Sequence, residues 1–313
     1  MNTDEKIEQI LDEIAKVIVG KKEILKRILA AILADGHVLF HDVPGLAKTM
    51  MARAFSMVLG LKFNRVSFTP DLLPADITGV SVYNMKTNEF EFKPGPMHCS
   101  LLLADEINRA SPKTQSALLE AMQERRVTID GQTHVLGPPF IVLGTENPLE
   151  FEGTFPLPEA QLDRFLMKTD VGYPSFAEEQ EILWNRIKRK QEDFQLEQIL
   201  THEELLELQN QVEEVNVSEP IIEYIVRLVH ETREDGKISV GASPRGSLGL
   251  LNASRAWALI NGRDFVNPQD VQDIFIPVMA HRIILRSGDV LTGITAESIL
   301  EDILEQVVAP RVE

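Results

Sequence analysis

The chain has 313 residues, 44% of them hydrophobic and 25% charged, an ordinary globular balance with apolar material enough for one large or two ordinary domains. Its formal net charge of −17 and pI near 4.9 argue against general nucleic-acid binding, because an acidic surface repels a polyphosphate backbone. A lone cysteine, Cys99, rules out an internal disulfide, MNTDEKIEQI has none of the features of a secretory leader, and no apolar run reaches the ~18 residues of a membrane span; a reducing cytoplasm is the expected compartment.

From Lys6 to Ile18 the apolar residues Ile7, Ile10, Leu11, Ile14, Val17 and Ile18 mark one face of a helix that Gly20 ends. A second helix carries Ile24, Leu25, Ile28, Leu29, Ile32 and Leu33 and stops at Asp35-Gly36. "HVLF" reads as a short buried strand, "TMMARAFSMVLG" as a helix ending at Gly60, and "NRVSF" as a strand. His37 and His41 are four apart but straddle a strand, so helical ligand spacing does not apply and no His/Cys metal centre is expected. "SVYNMKTNEFEFKPG" alternates about a polar turn and predicts a hairpin at Ser81–Phe92. "SLLLADE" is a buried strand ending in two acids, and Ser111-Pro112 opens a helix through "KTQSALLEAMQE". Asp130-Gly131 predicts a second hairpin at Arg126–Leu136. "FIVLGTENP" is another strand, and "RFLMKTDV" reads as the last. Strands alternating with helices imply an α/β fold with a parallel sheet covered on both faces. Beyond Tyr173–Ser175 the pattern turns helical, with capping-box spacings at Ser175/Glu178 and Thr201/Glu204. The expected division is residues 1–173 as core and 174–313 as a smaller helical domain.

The stretch His41–Met50, "HDVPGLAKTM", lies where a phosphate loop belongs, between strand and helix, yet G-x-x-x-x-G-K-[ST] would place Gly at 41 and 47, which are His41 and Ala47. Ala47 is the smallest replacement for the last glycine, and position 41 opens the loop farther from the phosphates. Lys48 would supply charge to the β- and γ-phosphates and Thr49 a hydroxyl to Mg²⁺. Alone, the stretch is equally readable as a turn. Asp105 and Glu106 end a buried strand, where Asp105 could hold Mg²⁺ and Glu106 polarise water; two solvated acids are the plain alternative. Asn147 could orient water beside the γ-phosphate, or form an Asn-Pro turn. Arg164 in "EAQLDRF" is either a surface arginine or an arginine finger for a neighbouring subunit. Arg245, in the first turn of a predicted helix, is a cation where the helix dipole disfavours one, which hints at a phosphate partner.

The order of these five elements is that of a P-loop ATPase with a helical lid. The chain resembles the MoxR family of AAA+ ATPases along nearly its whole length, in "ADGHVLFHDVPGLAKT", "SFTPDLLPADITG", "LLLADEINRASPKTQSALLEAMQE", "FPLPEAQLDRF" and "GASPRGSLGLL". In that family "VPGLAKT" is a common Walker A loop, so the resemblance implies that Val43, Pro44, Gly45, Leu46, Ala47, Lys48, Thr49 and Met50 form a working site for ATP and Mg²⁺. It further implies Walker B at Asp105-Glu106, with Thr49 and Asp105 toward the metal, sensor 1 at Asn147, the finger at Arg164, sensor 2 at Arg245, and the adenine-lining segment at Val19-Gly20. The hairpins would be the helix-2 insert and the pre-sensor 1 hairpin. Arg245 could serve its own nucleotide or a neighbour's.

The implied function is an ATP-hydrolysing homo-oligomer, a hexameric ring, that remodels protein clients alongside a separate von Willebrand factor A domain protein. Three alternatives remain open at this stage: a magnesium-chelatase-type motor subunit, a DNA motor or helicase loader, and a non-hydrolysing nucleotide-dependent scaffold. The acidic charge opposes the second, and Lys48, Glu106 and Asn147 oppose the third.

Overall fold

The computed structural model describes residues 3–148, 154–191, 193–291 and 293–311. Five strands, β1 (Val38–His41), β2 (Phe63–Ser67), β3 (Leu101–Asp105), β4 (Ile141–Glu146) and β5 (Met167–Thr169), form one parallel sheet in the order β2-β3-β4-β1-β5. The central strands are apolar on both faces, as burial between two helical layers requires. Leu101, Leu103, Ile141 and Leu143 join one core and Leu102, Ala104 and Val142 the other, the period-2 alternation of a strand.

On the first face lie α1 (Thr3–Ala15), α2 (Lys22–Leu33) and α3 (Lys48–Val58), in one apolar cluster with the helices of the second half of the chain. On the other lies α4 (Pro112–Glu124), which buries Leu118, Leu119 and Met122 and is capped by Ser111. The N-terminal helix is shorter than its apolar periodicity predicts. It ends at Ala15, because Val17 and Ile18 leave it to line an apolar pocket.

Two antiparallel hairpins project from the core, at Gly79–Asn84 with Glu89–Pro94 and at Arg126–Ile129 with Gln132–Val135. The first is two residues longer at each end than predicted. In the second, Asp130 and Gly131 both have positive φ (49° and 79°), the turn whose twist suits a two-residue hairpin. Phe92 of the first hairpin stacks on His134 of the second, with ring centroids 3.8 Å apart and planes at 22°.

The second half contains α5 (Phe176–Arg189), α6 (His202–Glu214), α7 (Glu219–Glu234), α8 (Pro244–Ile260), α9 (Pro268–Met279) and α10 (Ala296–Gln306). Both predicted capping boxes form: Glu178 N–H donates to Ser175 Oγ at 3.3 Å, and Glu204 N–H to Thr201 Oγ1 at 3.2 Å. "RFLMKTDV" supplies the last strand of the sheet, but not of the chain. A two-stranded antiparallel ribbon, Ile238–Val240 with Ile284–Leu285, interrupts the helices. Its segments are too short and too far apart in sequence to show a strand period.

Candidate nucleotide site

The order of strand addition reverses about β1: the connection through α3 leads to β2 at one edge, and β5 lies on the other side. Ligands of open α/β sheets occupy the crevice at the carboxyl ends of strands at such a point. The register makes the strand ends flush, pairing Phe40 with Thr145, His41 with Glu146, and Ser67 with Asp105.

The loop after β1 opens with Asp42. Its carboxylate accepts the N–H groups of Val171 and of Gly172, the latter at 3.3 Å, and so ties the loop to the chain beyond β5. Gly45 has φ +89°, a conformation that favours glycine. Ala47 caps α3 at φ 59°, ψ 15°, also left-handed. A non-glycine residue there costs about 1–2 kcal/mol, a strain that persists where the surroundings over-determine the conformation. Met51 N–H reaches Ala47 O at 2.9 Å, and the N–H groups before it lie ahead of the first helical acceptor. Such N–H groups can cradle an anion at a helix N-terminus.

Lys48, 8% exposed, turns back over this loop and donates to Asp42 O at 2.8 Å. Burial lowers its pKa from the ordinary lysine value, against the opposing pull of Asp42, Asp105, Glu106 and Asp170. A cavity of about 380 Å³ joins Pro44, Gly45, Ala47, Lys48, Thr49 and Met50 to Asp105, Glu106 and Asn147. Thr145, a residue that motif reading missed, bridges the two acids. Its hydroxyl donates to Asp105 Oδ1 at 3.2 Å and accepts Glu106 N–H at 2.8 Å. Glu106 is left-handed, at φ 56°. Two arginines that were also missed hold the acids: Arg65 Nε lies 2.7 Å from Asp105 Oδ2, and Arg109 Nη1 2.8 Å from Glu106 Oε2.

An apolar pocket of about 120 Å³ adjoins this cavity, lined by Val17, Ile18, Val19, Leu46, Met50 and Val171 among others. Gly20 stands beside it at φ +72°, where a Cβ would meet Glu178 Oε1 at 1.8 Å. Val43 packs against the core and is not among the residues lining either cavity. His41 sits at the strand end with Nδ1 3.4 Å from Glu146 Oε2.

Arg164 and Arg245 do not join this cluster. Both line a separate cavity of about 290 Å³, with Asp163, Arg125, Leu248 and Arg282. Arg164 Nε donates to Gln123 Oε1 at 3.0 Å. Arg245 Nη1 lies 3.8 Å from Asp163 Oδ2, so within the chain the cation at the head of α8 faces a carboxylate.

Residues 37–167 match the ATPase family associated with various cellular activities (AAA), and residues 230–303 the AAA lid domain. The chain is 43% identical to Chaperone MoxR1 of Mycobacterium tuberculosis over 98% of this chain and 83% of that one. It belongs to the MoxR family of AAA+ ATPases. A second relative, protein YeaC of Bacillus subtilis, is 50% identical over 96% of this chain and 93% of its own. A crystal structure of a proposed ATPase from Cytophaga hutchinsonii superposes with a TM-score of 0.92 at 40% identity, covering 99% of this chain and 96% of that one. Membership in the MoxR family accounts for a parallel sheet followed by a helical lid.

Proposed function

We propose that this chain is one subunit of an ATP-hydrolysing ring, a hexamer, that remodels protein clients. The observation that carries the reading is the split of the charged residues between two cavities. One holds the cradle, Lys48, Thr49, Asp105, Glu106 and Asn147, and the other holds Arg164 and Arg245. A site divided in this way is completed head to tail by a copy, a contact that closes into a ring when the rotation suits.

In this reading the cradle and Lys48 bind the β- and γ-phosphates, and the pocket at Val19 takes the base. Thr49 and Asp105 are hard oxygen donors suited to Mg²⁺, which when bound neutralises charge on the phosphates. Glu106 accepts a proton from the attacking water, and Asn147 orients that water. Arg164 and Arg245 both act on the neighbour's nucleotide, since they share a cavity apart from their own loop. The division into a core of residues 1–173 and a lid of 174–313 belongs to the same proposal and is supported by the end of the sheet at Thr169.

The name of the mycobacterial relative supports a chaperone role for the ring. The client is a separate protein chain, presented with a von Willebrand factor A domain partner in the cytoplasm. Among the described residues no helix is long and apolar enough to cross a membrane. A mixing experiment tests the divided site. Arg164→Ala and Lys48→Ala are each expected to be inactive. Mixed rings contain interfaces pairing an intact loop with an intact finger, so activity should partly return. No recovery in rings shown to be mixed would sink the reading.

A further inference from the structure

The loop that carries Arg164 hangs from the lid. Arg282, whose side chain is 3% exposed, closes the turn after α9 and donates from Nε to Asp163 Oδ1 at 2.9 Å. One terminal nitrogen donates to Leu166 O at 3.1 Å and to Val278 O, and the other to Phe165 O at 2.7 Å. His281 Nε2 lies 3.0 Å from the same Phe165 oxygen. Two successive lid residues thus gather the carboxylate before Arg164 and the two carbonyls after it.

The other oxygen of Asp163 faces α8. Ser243 Oγ, at the cap of that helix, is 3.4 Å from Oδ2, and Arg245 Nη1 is 3.8 Å away. Helix α8 passes close to Arg282 at two of its glycines. A Cβ on Gly246 would lie 3.3 Å from Arg282 Cδ, and one on Gly249 3.5 Å from Arg282 Nη2. One carboxylate therefore stands between a buried guanidinium and an exposed one, and the exposed one lines the same cavity as Arg164. Burial draws the Arg282 pKa down to about 10, opposed by Asp163, with Arg245 adding to the lowering. An apolar side chain would fill this space but leave the carbonyls of Phe165, Leu166 and Val278 without this donor, so the cation organises the loop rather than merely packing against it.

We propose that Arg282, acting through Asp163, is a positioning residue that fixes Arg164 and Arg245 in one spatial relation, so that both reach the neighbouring subunit's nucleotide together. The inference rests on the divided-site reading above. It joins finger and lid into one unit: a lid that moves with its own nucleotide carries the finger offered to the next site.

Arg282→Met leaves buried carbonyls without a donor and risks misfolding, so the test uses Asp163→Asn, which keeps the shape and an acceptor for Arg282 but loses the charge. ATP titration by calorimetry should match wild type, because the variant's own loop is intact. Its ring ATPase should fall at least about tenfold, the scale on which misplaced catalytic groups act. Mixed with Lys48→Ala subunits, which offer an intact finger, Asp163→Asn subunits should regain activity. Mixed with Arg164→Ala subunits they should not, because neither partner then offers a competent finger. The Arg164→Ala with Lys48→Ala mixture is the control. If it shows no recovery, the divided-site reading itself fails. If it recovers, the positioning role is overturned by full activity of Asp163→Asn, by failure of Lys48→Ala to rescue it, or by rescue with Arg164→Ala.

Discussion

Glu106 accepts a hydrogen bond from Arg109, three residues further along the chain, at 2.8 Å, and holds it from a left-handed backbone conformation. The contact draws a proposed catalytic carboxylate toward a cation of its own chain. Removing the cation frees the acid to face water. Arg109→Ala is expected to raise kcat about two- to fivefold with KM unchanged, the scale of a part-exposed ion pair. Glu106→Gln should bind ATP yet hydrolyse it about 10²- to 10⁴-fold more slowly, as loss of a general base implies. Steady-state ATPase assays on both variants decide the matter, and a slower Arg109→Ala would mean that the pair aims Glu106 rather than restrains it.

Lys48→Met removes a buried ammonium whose pKa burial has lowered. The nucleotide-free variant should melt no lower than wild type. It should also lose the ATP-dependent rise in Tm, since a ligand at 100 times its Kd stabilises by about 2.7 kcal/mol only where it binds. Thermal melts with and without ATP read both effects. A preserved nucleotide shift would remove Lys48 from the phosphate cradle.

Ala47→Gly restores the residue that the general phosphate-loop pattern carries. At φ 59° alanine is strained and glycine is not. The substitution should stabilise the fold by about 1 kcal/mol and leave ATP affinity unchanged. Denaturant melts measure the first and calorimetry the second. A loss of stability would mean that the methyl group's packing outweighs its backbone strain.

His37 sits in the core, where Val142 N–H donates to Nδ1 at 3.0 Å, so Nε2 carries the proton toward Met122 O at 3.2 Å. Burial brings its pKa down to about 3, and His281 is lowered well below the ordinary value by the same cause. A depressed histidine contributes stability that is full above the unfolded value near 6.5 and is lost as pH falls below it. Each such group makes the free energy of unfolding fall by up to about 1.4 kcal/mol per pH unit. Burial raises the pKa of Asp35 and Asp170, and these act in the opposite sense nearer the carboxylate range. Urea titrations between pH 7 and 5.5 should show stability falling with acidity, and His37→Gln should flatten the slope by about one proton. An unchanged slope would place the proton uptake elsewhere.

What the sequence disclosed was whatever is local. Short apolar runs gave the sheet strands, alternation about a polar turn gave the first hairpin and Asp130-Gly131 the second, and the order of Lys48, Asp105, Glu106, Asn147, Arg164 and Arg245 pointed to the family. The partners of those residues were not legible. Thr145 looked like one more strand residue in "FIVLGTEN", and only the register beside Asp105 turns it into the bridge between two acids. Asp42 reads as a loop acid until its bond to Gly172, 130 residues away, is seen. Arg282 lies in "AHRIIL", an unremarkable polar pair, and its partners Asp163, Phe165 and Leu166 stand 116 to 119 residues earlier in the chain. Such pairings leave no period in the chain, since each is set by tertiary packing rather than by neighbours.

The stacking of Phe92 on His134 has a mechanical reading. Phe92 also meets His98 edge-on, with centroids 5.2 Å apart, so one ring is gripped at once by the base of its own hairpin and by the flank of the other. The exposed tip of the first hairpin, where Met85 is 85% exposed, therefore has its footing on the flank of the second. The two hairpins are thus joined at one shared ring, and swinging one away from the other means parting a pair worth about 0.5–1.5 kcal/mol.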